Sequence, residues 1–167
     1  MFKAGLERLH IRKPNLKKEQ VAKIIAAVPE EFHQRMIIHG EPELMTSAAF
    51  GGYHGKHGEV ELAEGQSFSS SAHNWQECDE QLQQADYVFL SPVFDSISKE
   101  GYLANFELRR YPKMLQDRPV YALGGITADN WEDALAFGYY GVAVLGSLWE
   151  KPGKVWREFE KFKSTAR

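Results

Sequence analysis

The sequence predicts an α/β fold of parallel strands and crossover helices, and a (β/α)₈ barrel fits it best. Short apolar runs alternate along the chain with segments of helical spacing, giving about seven strands and nearly as many helices. The last two strands each lead into a glycine-bearing turn, Gly124-Gly125 and Gly146-Ser147. The strands are short, which also favours the barrel over the competing doubly wound sheet. No repeat or low-complexity linker appears, so residues 1–167 are expected to form a single domain.

The strands are predicted wherever a short run lies between helical or turn segments. They are 7–11, 34–39, 51–55, 67–73, 86–90, 119–123 and 141–145. The run "DYVFL" at 86–90 is the clearest of them, because it is apolar and ends in a polar loop. The run "SFSSSAH" at 67–73 is expected to be a strand although it is polar.

Five helices are predicted from apolar periodicity and from end signals. They are 14–28, 41–50, 74–85, 128–137 and 153–164. Asn15 is the expected N-cap of the first, and Asn74 with Glu77 resembles a capping box. Thr127 is expected to cap the fourth helix, and Gly138 to close it. Segment 102–115 is helix or loop because Pro112 interrupts it, and 55–66 is a predicted loop.

The start of the chain is unusual for a barrel. Residues 1–5 resemble the end of a helix closed by Gly5, and the first strand follows at once. The chain is also shorter than the roughly 200 residues of the smallest such barrels. We therefore expect a barrel that lacks its first strand and most of its first helix. Its two unpaired edges would invite pairing with a second copy, so a homo-oligomer is a possible state.

Composition excludes several classes of protein. The formal net charge is −3 and no basic block occurs, which argues against nucleic-acid binding. Cys78 is the single cysteine, so neither a disulfide framework nor a cysteine metal cluster can form. No apolar run approaches the ~18 residues of a membrane span, and no signal peptide is visible. We expect a cytoplasmic protein without membrane or nucleic-acid partners.

The loop after the strand 86–90 reads "SPVFDSISKEGY". Ser96 and Ser98 offer hydroxyl donors and Lys99 adds a cation, which suits an anionic ligand such as a pyrophosphate leaving group. A solvated polar loop is the alternative, and the loop alone does not decide between them.

The turns after the last two strands predict a phosphate site. Barrels often bind phosphate there through backbone N–H groups that glycine lets a ligand approach, which would involve Gly124, Gly125, Gly146 and Ser147. The alternative is that these glycines only make tight turns. Two adjacent turns of this kind favour phosphate.

Four histidines fall at predicted strand ends: His10, His39, His54 and His73. A single histidine at such a position is more often a packing residue than a catalyst, but four facing one mouth of a barrel raise the odds of at least one acid–base role. Arg12 and Lys13 would add cations at the same mouth, unless they form only surface ion pairs. No HxH or HExxH spacing occurs, so the local spacing does not indicate a histidine metal site.

Three segments, "ADYVFLSPVFDSISKEGY", "PVYALGGITADN" and "GYYGVAVLGSLW", resemble the thiamine phosphate synthase/TenI superfamily in order and spacing. The resemblance covers nearly the whole chain and fades in 55–66. Members are (β/α)₈ barrels, so the resemblance implies that fold and a first strand absent here.

The resemblance implies a transferase of thiamine biosynthesis. Such enzymes join hydroxymethylpyrimidine diphosphate to hydroxyethylthiazole phosphate, release pyrophosphate and use Mg²⁺. The family's Thr-x-Thr-Lys loop, which contacts pyrophosphate, matches Ser96-Ile97-Ser98-Lys99, and its Gly-Gly matches Gly124-Gly125. The candidate site then comprises catalytic Arg12, Lys99 and His73, with substrate contacts from His10, Lys13, His39, His54, Ser71, Ser96, Ser98, Gly124, Gly125, Gly146 and Ser147.

Several positions depart from the family pattern. Where the family has Gln-x-Arg, this chain has His10 in place of the Gln. The family's Asn-Asp pair is replaced by His39-Gly40, and its serine after strand eight is replaced by Gly146. A second aspartate expected after His54 is missing, with Glu59 or Glu61 as substitutes. The Mg²⁺ ligands are therefore unmatched. Alternatives are a TenI-like thiazole tautomerase with a histidine acid–base group, although Pro92 occupies its histidine position, and a non-catalytic binder of such phosphates.

Overall fold

The protein is described from a computed structural model covering residues 1–47, 50–97, 101 and 103–162. These residues form two compact units, Met1–Ser70 with Gln84–Asp86 and Ser71–Gln83 with Tyr87–Arg167. No helix within the described residues is both long enough and apolar enough to cross a membrane.

The first unit contains the strands β1 (Leu9–Ile11), β2 (Met36–His39) and β3 (Gly52–His54), and the start of β4 (Ser67–Ala72). Its helix α1 spans Lys18–Ala26, and 3₁₀ turns span Phe2–Ala4, Glu30–Arg35 and Pro42–Ser47. The four strands are parallel neighbours in chain order.

The second unit contains the end of β4 and the parallel strands β5 (Tyr87–Leu90), β6 (Val120–Ala122) and β7 (Gly141–Val142), again in chain order. Its helices are α2 (Trp75–Gln81), α3 (Trp131–Phe137), α4 (Gly146–Trp149) and α5 (Val155–Lys161). The 3₁₀ turns Phe106–Arg109, Lys113–Leu115 and Pro152–Lys154 complete it.

All seven predicted strands are present, and the expected parallel α/β architecture is confirmed. Neither unit shows the reversal of strand order that a doubly wound sheet requires. The polar segment 67–73 is a strand, as predicted, because backbone pairing with β3 does not depend on apolar side chains. Gly5 adopts the left-handed conformation after the first 3₁₀ turn, as expected.

Apolar residues on the strands form the core of each unit. In the first unit Met36, Ile37, Ile38 and Tyr53 are fully buried, and α1 adds Val21 and Ile25 to the buried residues. In the second unit the paired residues Val88 and Val120, and Leu90 and Ala122, are fully buried. The run "DYVFL" was the clearest strand in the sequence because β5 is buried along its whole length.

Some element boundaries differ from the predictions. Asn15 does not cap α1; it lies in a turn closed by the Leu16 N–H bonding to the Lys13 carbonyl. The helix begins one turn later, where the Gln20 side chain accepts a bond from the Lys17 N–H at 3.0 Å. The predicted helix 41–50 is a 3₁₀ turn at Pro42–Ser47, and residues 48–49 lie outside the described part.

The remaining end signals were mostly correct. Asn74 caps α2 by accepting the Glu77 N–H at 2.8 Å. Thr127 accepts the Asp129 N–H at 3.2 Å, but α3 begins only at Trp131. Gly138 ends α3 in the left-handed conformation. The predicted segment 102–115 is described from residue 103 onward, where two short 3₁₀ turns lie on either side of Pro112 because proline disfavours continuation of a helix.

Candidate functional site

Three histidines from three neighbouring strands meet in the first unit. His10 Nδ1 lies 2.7 Å from His39 Nε2, and the His39 and His54 rings stack with centroids 4.0 Å apart. The His10 ring meets the His54 ring edge-on at 5.8 Å. One nitrogen from each ring lies within 4.8 Å of the others. We call these three residues the histidine cluster.

The strand register explains why these side chains converge. His10 pairs with Ile37, and His39, two residues further along β2, lies on the same face of the sheet. His39 in turn pairs directly with His54. Arg12 follows the end of β1, and its charge acts on His39 and His54. Parallel pairing of β1, β2 and β3 thus brings these three strand-end histidines together.

The environment keeps the cluster uncharged. Burial is the largest cause that lowers the pKa of His10 to about 3, of His39 to about 2 and of His54 to about 4. Positive charge on Arg12 lowers the pKa values of His39 and His54 further, and Arg8 acts on His10. At neutral pH the three imidazoles therefore add no positive charge that would bind a phosphate.

Ser69 fixes the orientation of one histidine. Its Oγ lies 2.9 Å from His54 Nδ1, and its side chain is fully buried. Ser69 pairs with His54 across β3 and β4, which places both side chains on one face. Sequence reasoning did not select Ser69. The sequence could have indicated Ser69, because it lies two residues before the selected Ser71 and therefore on the same face of the predicted polar strand.

The residues at these strand ends do not fit Mg²⁺. Mg²⁺ prefers oxygen ligands, whereas the one group of three or more potential metal ligands among the described residues consists of imidazoles. Glu59 accepts hydrogen bonds from the Tyr53 hydroxyl at 2.8 Å and the Lys56 N–H at 2.9 Å. Tyr53 precedes His54 in β3 and lies on the opposite face of the sheet. Glu59 therefore does not replace a missing aspartate beside the histidines.

In the second unit the Gly124-Gly125 turn packs tightly against the loop after β5. A Cβ on Gly124 would lie 2.8 Å from Pro92 Cα, and one on Gly125 would lie 2.7 Å from Phe94 Cβ. Both glycines have positive φ, 91° and 65°. The Phe94 N–H also bonds to the Gly124 carbonyl at 3.1 Å. Close backbone packing thus requires glycine here, whether or not a phosphate also binds.

The two glycine-bearing turns are joined directly. The Ser147 hydroxyl, in the first turn of α4, donates to the Ile126 carbonyl at 2.9 Å. Asn130, which the sequence reasoning did not select, bonds through its amide nitrogen to the Gly125 carbonyl at 3.0 Å. The expected adjacency of the two turns is therefore present, and Ser147 uses its hydroxyl to hold them together.

His73 lies in the second unit and is exposed. Its Nδ1 lies 3.0 Å from the Ser91 carbonyl, which fixes Nδ1 as the protonated nitrogen because a carbonyl can only accept. The backbone N–H of His73 donates to Glu77 Oε2 at 2.8 Å. Ser71, two residues earlier, is also exposed. His73 is thus oriented by the end of β5, and its catalytic role stays a prediction.

The loop after β5 is described only in part. Ser98 and Lys99 lie outside the described residues, so their predicted role is not tested. Asp95 accepts the Ala104 N–H at 2.8 Å. Arg109 donates to the Val93 carbonyl at 3.1 Å and stacks on Phe94 and Phe106 at 4.8 and 4.5 Å. Arg109 was not selected from the sequence, since its effect depends on packing between distant segments.

The family model for thiamine monophosphate synthase matches residues 1–148. This chain belongs to the thiamine monophosphate synthase family. The superfamily resemblance of the three segments is thereby confirmed.

Individual relatives agree with the family match. The chain is 41% identical over 70 residues to a thiamine-phosphate synthase of Methanoculleus marisnigri, covering 38% of this chain and 31% of that protein. It is 25% identical over 166 residues to a thiamine-phosphate synthase of Lysinibacillus sphaericus, covering 89% and 78%. The match to the Methanoculleus protein thus spans about a third of that protein's length.

A solved structure gives the fold. A thiamine phosphate pyrophosphorylase from Bacteroides thetaiotaomicron superposes with a TM-score of 0.78 at 29% identity, covering 97% of this chain and 85% of that one. The predicted α/β barrel type of fold is confirmed, with seven strands in the described residues where a complete barrel has eight.

Proposed function

We propose that this chain is a thiamine phosphate synthase-like transferase of the cytoplasm. It would join hydroxymethylpyrimidine diphosphate to hydroxyethylthiazole phosphate and release pyrophosphate. The observation that carries the proposal is the family match over residues 1–148. The two named sequence relatives are thiamine-phosphate synthases, which favours this reaction over the tautomerase alternative.

The reaction breaks one bond and forms another. The bond between the pyrimidine methylene carbon and the diphosphate oxygen breaks, and pyrophosphate leaves with the electron pair. The lone pair of the thiazole nitrogen then forms the new C–N bond with the pyrimidine methyl cation. Negative charge grows on the leaving oxygen, so preorganised donors and cations near it lower the barrier.

Two groups of residues would hold the substrates. We assign the pyrophosphate to the hydroxyls of Ser96 and Ser98 and to the charge of Lys99. We assign the thiazole phosphate to the Gly124-Gly125 turn, supported by its positive φ values and by its attachment to the turn of Ser147. The exposed cations Arg12 and Lys13 would add positive charge for an anionic substrate, since the histidines of the cluster are neutral.

The same assignment leaves the family metal without its ligands. Gly40 is at the position of the family's first aspartate and no aspartate lies in the loop that follows His54, so the residues present do not fit Mg²⁺. Charge on the pyrophosphate would instead be neutralised by the Lys99 side chain of its loop.

The test is direct synthesis of thiamine phosphate. Folded protein is incubated with both substrates in the presence of Mg²⁺, and separately with EDTA, and products are identified by mass spectrometry. The expected result is thiamine phosphate in reactions that contain both substrates, and none when either substrate is left out. A folded protein that yields no thiamine phosphate in any arm would contradict the proposal.

A further inference from the structure

We propose that His10, His39 and His54 bind a transition metal ion of the Zn²⁺ class through one imidazole nitrogen each. The site lies on one face of the first unit, at the carboxyl ends of β1, β2 and β3. The inference concerns metal binding by the chain itself and does not depend on the proposed transferase reaction.

The distances suit a common metal ion. Zn²⁺ binds imidazole nitrogens at about 2.0–2.1 Å, so two nitrogens of a tetrahedral site lie about 3.3 Å apart. In the cluster His10 Nδ1 and His39 Nε2 are 2.7 Å apart, and one nitrogen from each of the three rings lies within 4.8 Å of the others. The three nitrogens are thus already close to the metal-bound spacing.

The surroundings supply the partner that a metal-bound histidine usually has. Such a histidine normally donates its second ring N–H to a neighbouring group, which fixes its orientation. His54 Nδ1 lies 2.9 Å from the buried Ser69 hydroxyl, and in that arrangement Nε2 is the ligand atom. The stacked ring of His39 restricts rotation of His54 further. This part of the site is therefore already ordered.

The donor set selects the class of metal. Three imidazoles suit Zn²⁺, Cu²⁺, Ni²⁺ or Co²⁺, whereas Mg²⁺ and Ca²⁺ prefer carboxylate and carbonyl oxygens. Three protein ligands leave a fourth position for water or an anion, as in many catalytic zinc sites. The positive charge of Arg12 favours an anion at the fourth position while opposing the cation itself.

The first experiment is isothermal titration calorimetry of the wild-type protein with Zn²⁺ as the only added ligand. We expect stoichiometric binding, with Mg²⁺ at the same concentration unable to compete. Co²⁺ should give the strong visible absorption of a low-symmetry four-coordinate ion. Absence of Zn²⁺ binding by the folded protein, or equal competition by Mg²⁺, would overturn the proposal.

Variants then locate the ligands. Ser69→Ala removes a group that orients a ligand, and such changes typically weaken metal binding by roughly 10–100-fold. His39→Gln and His54→Gln each remove a ligand and should weaken Zn²⁺ binding more than that. The matched control is His57→Gln, because His57 is an exposed histidine outside the cluster. If His57→Gln weakens binding as much as His39→Gln, the site is elsewhere. Ser69→Ala retains all three histidines and serves as the test if the histidine variants fail to fold.

Discussion

His10 Nδ1 and His39 Nε2 lie within hydrogen-bond distance, 2.7 Å, although 29 residues separate them in the sequence. The contact exists because β1 and β2 are parallel neighbours whose carboxyl ends lie at the same edge. Chemistry at this edge therefore depends on strand pairing, and a change that shifts the register would separate the two rings.

Gly124→Ala should destabilise the protein. The new Cβ would overlap Pro92 Cα at 2.8 Å, and alanine is strained at φ 91°. We expect the free energy of unfolding to fall by about 1–3 kcal/mol, the range for a strained backbone position. Chemical unfolding followed by circular dichroism measures the loss. Gly153→Ala is the control, since nothing lies within 4 Å of its added Cβ. Equal stability of the two variants would show that the close approach to Pro92 is unimportant.

Lys99→Ala should weaken binding of the pyrimidine diphosphate substrate. Hydrogen bonds to charged groups contribute roughly 1.5–3 kcal/mol, which corresponds to a loss of about 10–100-fold in affinity. Isothermal titration calorimetry with the diphosphate substrate measures it. Lys113→Ala removes a charge from an exposed lysine in a 3₁₀ turn and is the control. An unchanged affinity for Lys99→Ala would argue against the assigned pyrophosphate loop.

Removing the Glu59 carboxylate should reduce the free energy of unfolding less at low pH than at neutral pH. Hydrogen bonds from the Lys56 N–H and then the Tyr53 hydroxyl lower the pKa of Glu59 below its usual value. The folded state thus favours the ionised form of Glu59. The ionised carboxylate stabilises the fold at pH values above the pKa of Glu59 in the unfolded chain. This stabilisation is lost as the pH falls through the lower pKa of Glu59 in the folded protein.

We therefore compare wild type with Glu59→Gln by chemical unfolding at pH 7 and near pH 3. The wild type should be the more stable at pH 7, and the difference should shrink towards about pH 3. Glu61→Gln is the control on the same loop. A stability difference that grows in acid would refute the inferred hydrogen bonds to the carboxylate.

The thiol of Cys78 should be unreactive in the folded protein. Burial in α2 is the main cause that raises its pKa to about 12, and the charge on Asp79 adds to the effect. Because the thiolate is the reactive form, Ellman's reagent at pH 8 should label the protein only after denaturant is added. The absorbance of the released thionitrobenzoate reports the labelling. Rapid labelling of the native protein would contradict the buried environment.

The sequence predicted the strands well because each was a short run bounded by turn or helix signals. The apolar run of β5 and the backbone pairing of β4 are both captured by that pattern. Helix starts were less predictable. Asn15 is a good N-cap by residue type, yet the Gln20 side chain satisfies the Lys17 N–H and places the start of α1 later.

The site was predictable only as far as strand ends could be recognised. Four histidines were expected at one mouth: His10, His39, His54 and His73. The structure brings the first three together, whereas His73 lies in the second unit. A metal-binding cluster was not predicted from the sequence, because motifs such as HExxH detect ligands within one helix or strand, whereas these three histidines lie on three different strands. Ser69 and Arg109 were missed because their roles depend on distant partners, His54 and Val93.

The packing at Gly125 has a consequence for laboratory evolution. A Cβ there would meet the Asp95 carbonyl oxygen and the Phe94 carbonyl carbon, which belong to the backbone and cannot move aside as a flexible side chain would. Random mutagenesis of this codon should consequently return glycine among functional clones, even when neighbouring side chains are randomised with it.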